Sequence, residues 1–182
     1  MIITKTDIDG LLIIEPKVYG DDRGYFFESW NQKLAAANGI DFNPLQHNES
    51  KSSYGVIRGL HYQLNPFGQA KLVRVISGRV LDVAVDLRKG SPSFGKHFSV
   101  ELSEENKKQF LIPKGFAHGF AVLSETAVFT YLCDEFYYPD SERGIKFDDP
   151  QLGIDWKIPS DKILLSEKDK ANPLFNKAEM NF

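Results

Sequence analysis

Apolar and polar residues alternate with a period of two along most of the chain, the pattern of half-buried β-strands. Residues 71–77 (KLVRVIS) and 79–86 (RVLDVAVD) are the plainest cases: both are rich in β-branched residues, and they meet at Gly78, which suits a tight hairpin connection. The same pattern predicts strands over 11–15, 24–28, 44–50, 55–62, 96–102, 109–112, 117–123 and 127–133. Turn signals separate them at Asp21-Asp22-Arg23-Gly24, Asn65-Pro66, Lys89-Gly90-Ser91-Pro92 and Pro113-Lys114-Gly115. Helical patterning is confined to 29–38, with Ser29 as the expected cap and Gly39 as the stop, and to a short helix or turn near 161–170. Helices do not alternate with strands, so a doubly wound parallel sheet is disfavoured. The expectation is an all-β fold, an antiparallel sandwich or barrel of the jelly-roll kind with a few short helices. No repeat or low-complexity stretch interrupts it, and one domain over 1–182 is expected, with a C-terminal tail from about 150 packing on the barrel.

Composition narrows the partners. A chain of 182 residues, 42% of them hydrophobic, can bury a core without staples, and the lone Cys133 cannot form an intrachain disulfide. A formal charge of −3 gives no general attraction to a polyanion, so no nucleic-acid partner is expected, although a few local Arg and Lys residues can still hold one phosphate group. The N-terminal MIITKTDIDGLLIIEP matches neither a signal nor a transit peptide, and no segment approaches the roughly 18 apolar residues of a membrane span. The chain reads as cytoplasmic and soluble, with no membrane partner.

Several common chemistries are missing: there is no phosphate loop ending in Lys-Ser/Thr, no Gly-x-Gly-x-x-Gly after a strand, and no cysteine-rich zinc pattern. Of four histidines, His61 in GVIRGLHYQ and His118 in PKGFAHGF stand out, because each sits in a strand-like segment beside glycines. Lys71 has the parity of Val73 and Val75. If those valines face the interior, so does the ammonium, which then needs an anionic partner or a function.

GVIRGLH (55–61) followed by Pro113-Lys114-Gly115-Phe116-Ala117-His118 resembles the two motifs of the cupin superfamily, a β-barrel fold. The second motif, Pro-x-Gly-x-x-His, is intact. In the first, the usual His-x-His is His61-Tyr62-Gln63, and Lys71 stands where such cupins carry a metal-ligand carboxylate. One imidazole, one amide and a cation would repel a divalent ion, so no metal and no cofactor are expected. Over longer stretches the chain resembles the dTDP-4-dehydrorhamnose 3,5-epimerase family: DDRGYFFESWN (21–31), QHNESKS (46–52), GVIRGLHYQ (55–63), AKLVRVISGRVLDVAVDLRKGSPSFGKH (70–97), FLIPKGFAHGFAVLSE (110–125), YLCDEFYYPDSERGI (131–145) and LSEKDKANP (165–173) follow in family order.

The resemblance implies inversion of C3 and C5 of dTDP-4-dehydro-6-deoxy-D-glucose, both carbons α to the C4 ketone. Such inversion needs a base on one face, an acid on the other and a cation beside the developing enolate. By the same match His61 is the base, Asp169 orients it, Lys71 stabilises the enolate and Tyr131 is the acid, with Tyr138 as its rival. Arg23, Glu28, Gln46, Asn48, Arg58, His118, Glu142 and Lys168 are the expected substrate contacts, Arg23 and Arg58 suiting the diphosphate. Read without the resemblance, His61 is a core histidine and Asp169 a charge on a solvated tail, Tyr131 is equally an amphipathic strand residue, and Lys71 keeps its inward, functional reading over that of a strand-end residue reaching solvent. A homodimer is implied by the family. A single-position epimerase, a non-turnover sugar-nucleotide-binding cupin and a metal-dependent cupin dioxygenase stay as alternatives. Arg58 and His61 differ by three, so one pocket can hold both only if the strand is irregular; a bulge or kink is expected at Gly59.

Overall fold

A computed structural model describes all 182 residues. Its strands, in chain order, are β1 (Ile2–Lys5), β2 (Leu12–Glu15), β3 (Tyr19–Asp21), β4 (Gly24–Phe26), β5 (Gln46–Ser53), β6 (Ile57–Gln63), β7 (Lys71–Ser77), β8 (Arg79–Asp86), β9 (His97–Ser103), β10 (Gln109–Ile112), β11 (Phe116–Val122), β12 (Thr126–Cys133) and β13 (Glu142–Gly144). Two short α-helices, α1 (Gln32–Ala37) and α2 (Glu167–Lys170), and three single 3₁₀ turns at Pro139–Ser141, Ser160–Lys162 and Phe175–Lys177 complete the regular elements. The strands sort into a six-stranded sheet, β1-β2-β10-β7-β12-β5, a five-stranded sheet, β13-β6-β11-β8-β9, and the detached hairpin β3-β4. All pairings within the sheets are antiparallel. No helix is long and apolar enough to cross a membrane.

Burial explains the alternation. Between the sheets, Val73 and Val75 of β7 and Phe129 of β12 meet Val80 and Ala84 of β8 and Phe116 and Phe120 of β11 in one buried cluster. The opposite face of β8, Leu81, Val83 and Val85, is buried too, under Ile145, Leu152, Trp156 and Phe175 of the C-terminal segment. Covered on both faces, RVLDVAVD can be almost continuously apolar; each such side chain contributes about 1.5–3 kcal/mol. The outer face of the six-stranded sheet is covered locally, where Ile14, Leu72 and Leu111 pack under Ala35 of α1 and under Ile40 and Phe42.

Three local expectations change. Gly78 is not a hairpin turn, because β7 and β8 lie in different sheets. The chain crosses between layers there with φ +79°, and a Cβ would stand 2.1 Å from the Thr126 carbonyl oxygen, so only glycine fits. The cap of α1 is Asn31, whose side chain accepts the Leu34 N–H, not Ser29; the helix starts later because Asn31 places its oxygen over the first turn. The strand expected over 24–28 ends at Phe26, within the detached hairpin.

The irregularity at Gly59 is present. Between the pairs His118–His61 and Phe120–Arg58, β6 spends three residue steps against two on β11. Ile57, Leu60 and Tyr62 therefore all reach the outer cluster, while Arg58 and His61 both turn to the interior cavity. Gly59 has φ +130°, and a Cβ on it would lie 2.5 Å from the Gly119 Cα, so the two backbones touch where a side chain would part them.

Candidate active site

The facing sheets enclose a cavity of about 440 Å³. Lys71, Phe129 and Tyr131 form one wall, Arg58, His61, His118 and Phe120 the other, and Leu164 to Asp169 close the side. A second chamber of about 300 Å³ shares His61, Lys71 and Tyr131 and adds Gln46, Asn48, Tyr137 and Glu142. The chambers thus meet at three of the four expected catalytic side chains.

His61 is held by the C-terminal segment. Its Nε2 lies 2.5 Å from Asp169 Oδ1. Ser166 caps α2: its Oγ accepts the Asp169 N–H at 3.1 Å and donates to Asp169 Oδ2 at 2.9 Å. Burial pushes the Asp169 carboxyl up, but the His61 hydrogen bond and charge, Ser166 and Lys168 outweigh it and hold the group below its ordinary range. An ionised carboxylate only accepts, so Nε2 is the donor in this contact and Nδ1 is the ring nitrogen not engaged by Asp169.

A second pair sits beside it on the same wall. His118 Nε2 is 3.0 and 3.1 Å from the two oxygens of Asp82, a fully buried residue in the middle of β8. Burial raises the Asp82 carboxyl despite His118 and Lys71 nearby. Sequence reasoning missed Asp82, although its signal was legible: it shares the inward parity of Val80 and Ala84, where an acid needs a partner.

Lys71 faces inward with Val73 and Val75 and has no ion pair within 4.0 Å. Burial lowers its pKa, opposed by Cys133, Glu142 and Asp82. Cys133, its register partner on β12, is a buried free thiol pushed up to about 11 by burial. The Tyr131 hydroxyl is raised, chiefly by burial. Tyr138 lines neither chamber; its ring packs on Phe67 with centroids 4.0 Å apart.

Among the expected substrate contacts, Arg58, His118 and Lys168 line the larger chamber, and Gln46, Asn48 and Glu142 the smaller. Arg58 Nε donates to Ser52 Oγ at 3.1 Å, which leaves its terminal nitrogens unpaired. Glu142 pairs with Lys168 and accepts from the Tyr137 hydroxyl at 2.6 Å. Its carboxyl is raised by burial, but Lys168 and Tyr137 bring it below the ordinary value. Arg23 and Glu28 are not brought to this cavity. Arg23 is 90% exposed at the tip of the β3-β4 hairpin, paired with Asp21, and Glu28 accepts from Asn31 Nδ2 at 2.9 Å. Both belong to the segment of the β3-β4 hairpin, which pairs with neither large sheet. No three His, Cys, Asp or Glu side chains converge as a metal-ligand group, and the Gln63 amide is spent on backbone at Phe67, Phe136 and Tyr138.

An imidazole backed by a carboxylate, a phenol and an ammonium around one cavity between antiparallel sheets is an arrangement that suits moving protons beside a carbonyl. The family profile of dTDP-4-dehydrorhamnose 3,5-epimerases matches residues 5–177. The Shigella flexneri dTDP-4-dehydrorhamnose 3,5-epimerase is 54% identical over 172 residues, spanning 93% of this chain and 93% of its own. The crystal structure of the Elizabethkingia anophelis enzyme of that name superposes with a TM-score of 0.92 at 55% identity, covering 97% of each chain. A Legionella pneumophila dTDP-6-deoxy-D-glucose-3,5-epimerase, solved in complex with dTDP-4-keto-L-rhamnose, also gives 0.92 at 53% identity, with 96% of this chain and 93% of its own covered. The chain belongs to the dTDP-4-dehydrorhamnose 3,5-epimerase family and is an isomerase.

Proposed function

We propose that this protein converts dTDP-4-dehydro-6-deoxy-D-glucose to dTDP-4-dehydro-L-rhamnose by inverting C3 and C5. The observation that carries the reading is the junction of the two chambers, where His61, backed by Asp169, stands on one sheet and Lys71 and Tyr131 stand on the facing one. His61 Nδ1 takes the proton from the carbon beside the ketone, and the C–H electron pair moves into the ring to make a C4 enolate. The Lys71 ammonium stabilises that oxygen. Tyr131 returns a proton to the opposite face, and the nearby ammonium and enolate ease the loss from a phenol whose pKa burial raises. Each inversion is redox-neutral: one C–H bond breaks, one forms, and solvent exchange resets imidazolium and phenolate. Arg58, with its terminal nitrogens free, suits the diphosphate. His118, Gln46, Asn48, Glu142 and Lys168 hold the rest of the sugar nucleotide. We read the two facing sheets as a cupin-type jelly-roll barrel in a single cytoplasmic domain, with the segment from about 150 as its packed tail.

Arg23 and Glu28 enter this reading only through a second copy. The β3-β4 hairpin carries exposed Tyr19, Tyr25 and Phe26 beside Arg23, a surface suited to a partner subunit. A homodimer in which each hairpin reaches the other cavity would give both residues a substrate. Mixing Arg23→Ala with His61→Asn subunits then restores activity, because one hybrid site regains both side chains; no recovery in a mixed dimer would remove them from the site.

The test of the function is turnover of the 4-keto sugar nucleotide in heavy water. Deuterium at both C3 and C5 with L-rhamno product is expected. Deuterium at one carbon would make the protein a single-position epimerase, and binding without exchange would remove the enzymatic reading.

A further inference from the structure

Four consecutive residues, Glu135 to Tyr138, follow β12 without a ladder partner, yet each has a backbone group held by a glutamine side chain. Gln69 Nε2 donates to the Glu135 carbonyl at 2.8 Å. Gln63 Nε2 donates to the Phe136 carbonyl at 3.1 Å and to Phe67 at 2.6 Å. Gln46 Oε1 accepts the Tyr137 N–H at 3.0 Å, and Gln63 Oε1 accepts the Tyr138 N–H at 2.7 Å. All three glutamines line the smaller chamber, as does Tyr137.

The geometry points to a glutamine collar that presets the rim of the site, with Gln63 as its centre. We infer that Gln63 and Gln69 are positioning residues: they hold the Glu135–Tyr138 loop in its binding conformation before the sugar nucleotide arrives. Gln63 is 4% exposed, and both ends of its amide are occupied by backbone, so it has little left to offer a ligand. Only a carboxamide can donate to two carbonyls and accept an N–H at once here, which is how one side chain ties the Phe67 turn and the aromatic loop together and keeps the tilted Phe67 and Tyr138 rings in contact. A loop ordered in advance lowers the entropy lost on binding. A substrate reacting at His61, Lys71 and Tyr131 borders this chamber, so loosening the loop should weaken binding more than chemistry. Gln46 belongs to the same collar through its oxygen, and its amide nitrogen, bonded to Asn48 Oδ1 at 3.0 Å, keeps one N–H for substrate.

The inference rests on the proposed function only for its kinetic readout. Gln63→Leu and the milder Gln69→Ala are compared with the parent by amide hydrogen exchange, by titration with thymidine diphosphate alone, and by KM and kcat. Gln63→Leu should speed exchange at Phe136 to Tyr138 and weaken nucleotide affinity and KM by about tenfold, with kcat changed less than threefold. Gln69→Ala should show the same split at smaller amplitude if Gln63→Leu folds poorly. Gln63→Glu, which keeps the acceptor for Tyr138 but loses the donors, should restore protection at Tyr138 and not at the Phe67 turn. Loosened amides with unchanged nucleotide affinity would make the collar purely structural, and unchanged amides would remove it altogether. If wild type binds nucleotide but fails the heavy-water assay, the proposed function falls while the titration still tests the collar.

Discussion

Two histidine–carboxylate pairs stand side by side on neighbouring strands, since His61 of β6 and His118 of β11 are register partners. Both bind through Nε2, yet their carboxylates live in opposite surroundings. Asp169 arrives from the C-terminal segment, where Ser166 and Lys168 favour its charge, and its pKa falls. Asp82 grows from the middle of a fully covered strand, has only His118 as a hydrogen-bond partner, and its pKa rises. A pair of the same composition thus carries a carboxyl that its surroundings favour as an anion in one place and one that burial disfavours as an anion in the other. Placement of the acid, not its identity, separates them.

The comparison can be broken first at His61. His61→Asn should remove deuterium incorporation at C3 and C5 by about 10³–10⁴-fold, and Asp169→Asn by about 10³-fold, because the imidazolium loses its orienting charge. Full exchange in His61→Asn, measured by proton NMR, would take the base role from His61, and full exchange in Asp169→Asn would remove the orienting role of Asp169. Asp169 also sets an acid limb. Its folded pKa lies below the ordinary 3.8, so its contribution to stability is present above that value and lost as pH falls through the lowered one.

Lys71→Met should cost about 10²–10³-fold in kcat yet raise the melting temperature at neutral pH, since it removes an ammonium that burial disfavours. The linkage sign is fixed by the lowered folded pKa. The charge penalty is full below that value and shrinks as pH rises toward 10.5, so the gain in melting temperature should fade at high pH. A calorimetric scan that finds Lys71→Met less stable at neutral pH would contradict this account.

Asp82→Asn should reduce turnover by no more than about tenfold, because the amide oxygen still accepts from His118. An effect as large as that of Asp169→Asn would make the two pairs equivalent. The smallest change is Ser166→Ala, which removes the cap that presents Asp169. It should cost about 1 kcal/mol of stability in chemical denaturation and lower turnover only a few-fold, and a loss as large as that of Asp169→Asn would overturn this ranking.

The alternation in β7, β8, β11 and β12 was readable in residue order because each strand buries a face against a layer, and period-two burial writes itself locally. The inward parity of Lys71 and the break at Gly59 were readable for the same reason: both follow from counting residues along one strand. The resemblance supplied the identities of His61, Asp169, Lys71 and Tyr131. Other features depended on which distant segments meet. Gly78 has the residues of a hairpin but joins two sheets, because β7 pairs with β10 and β12 while β8 pairs with β11 and β9. Asp169 meets a histidine 108 positions away, and the glutamines that hold Glu135–Tyr138 come from three separate segments. Arg23 lies outside the cavity although its motif matches. Local pattern determined which side chains turn inward; only the packing of one layer on another decided which inward side chains share a cavity, since that contact is made between residues no local spacing relates.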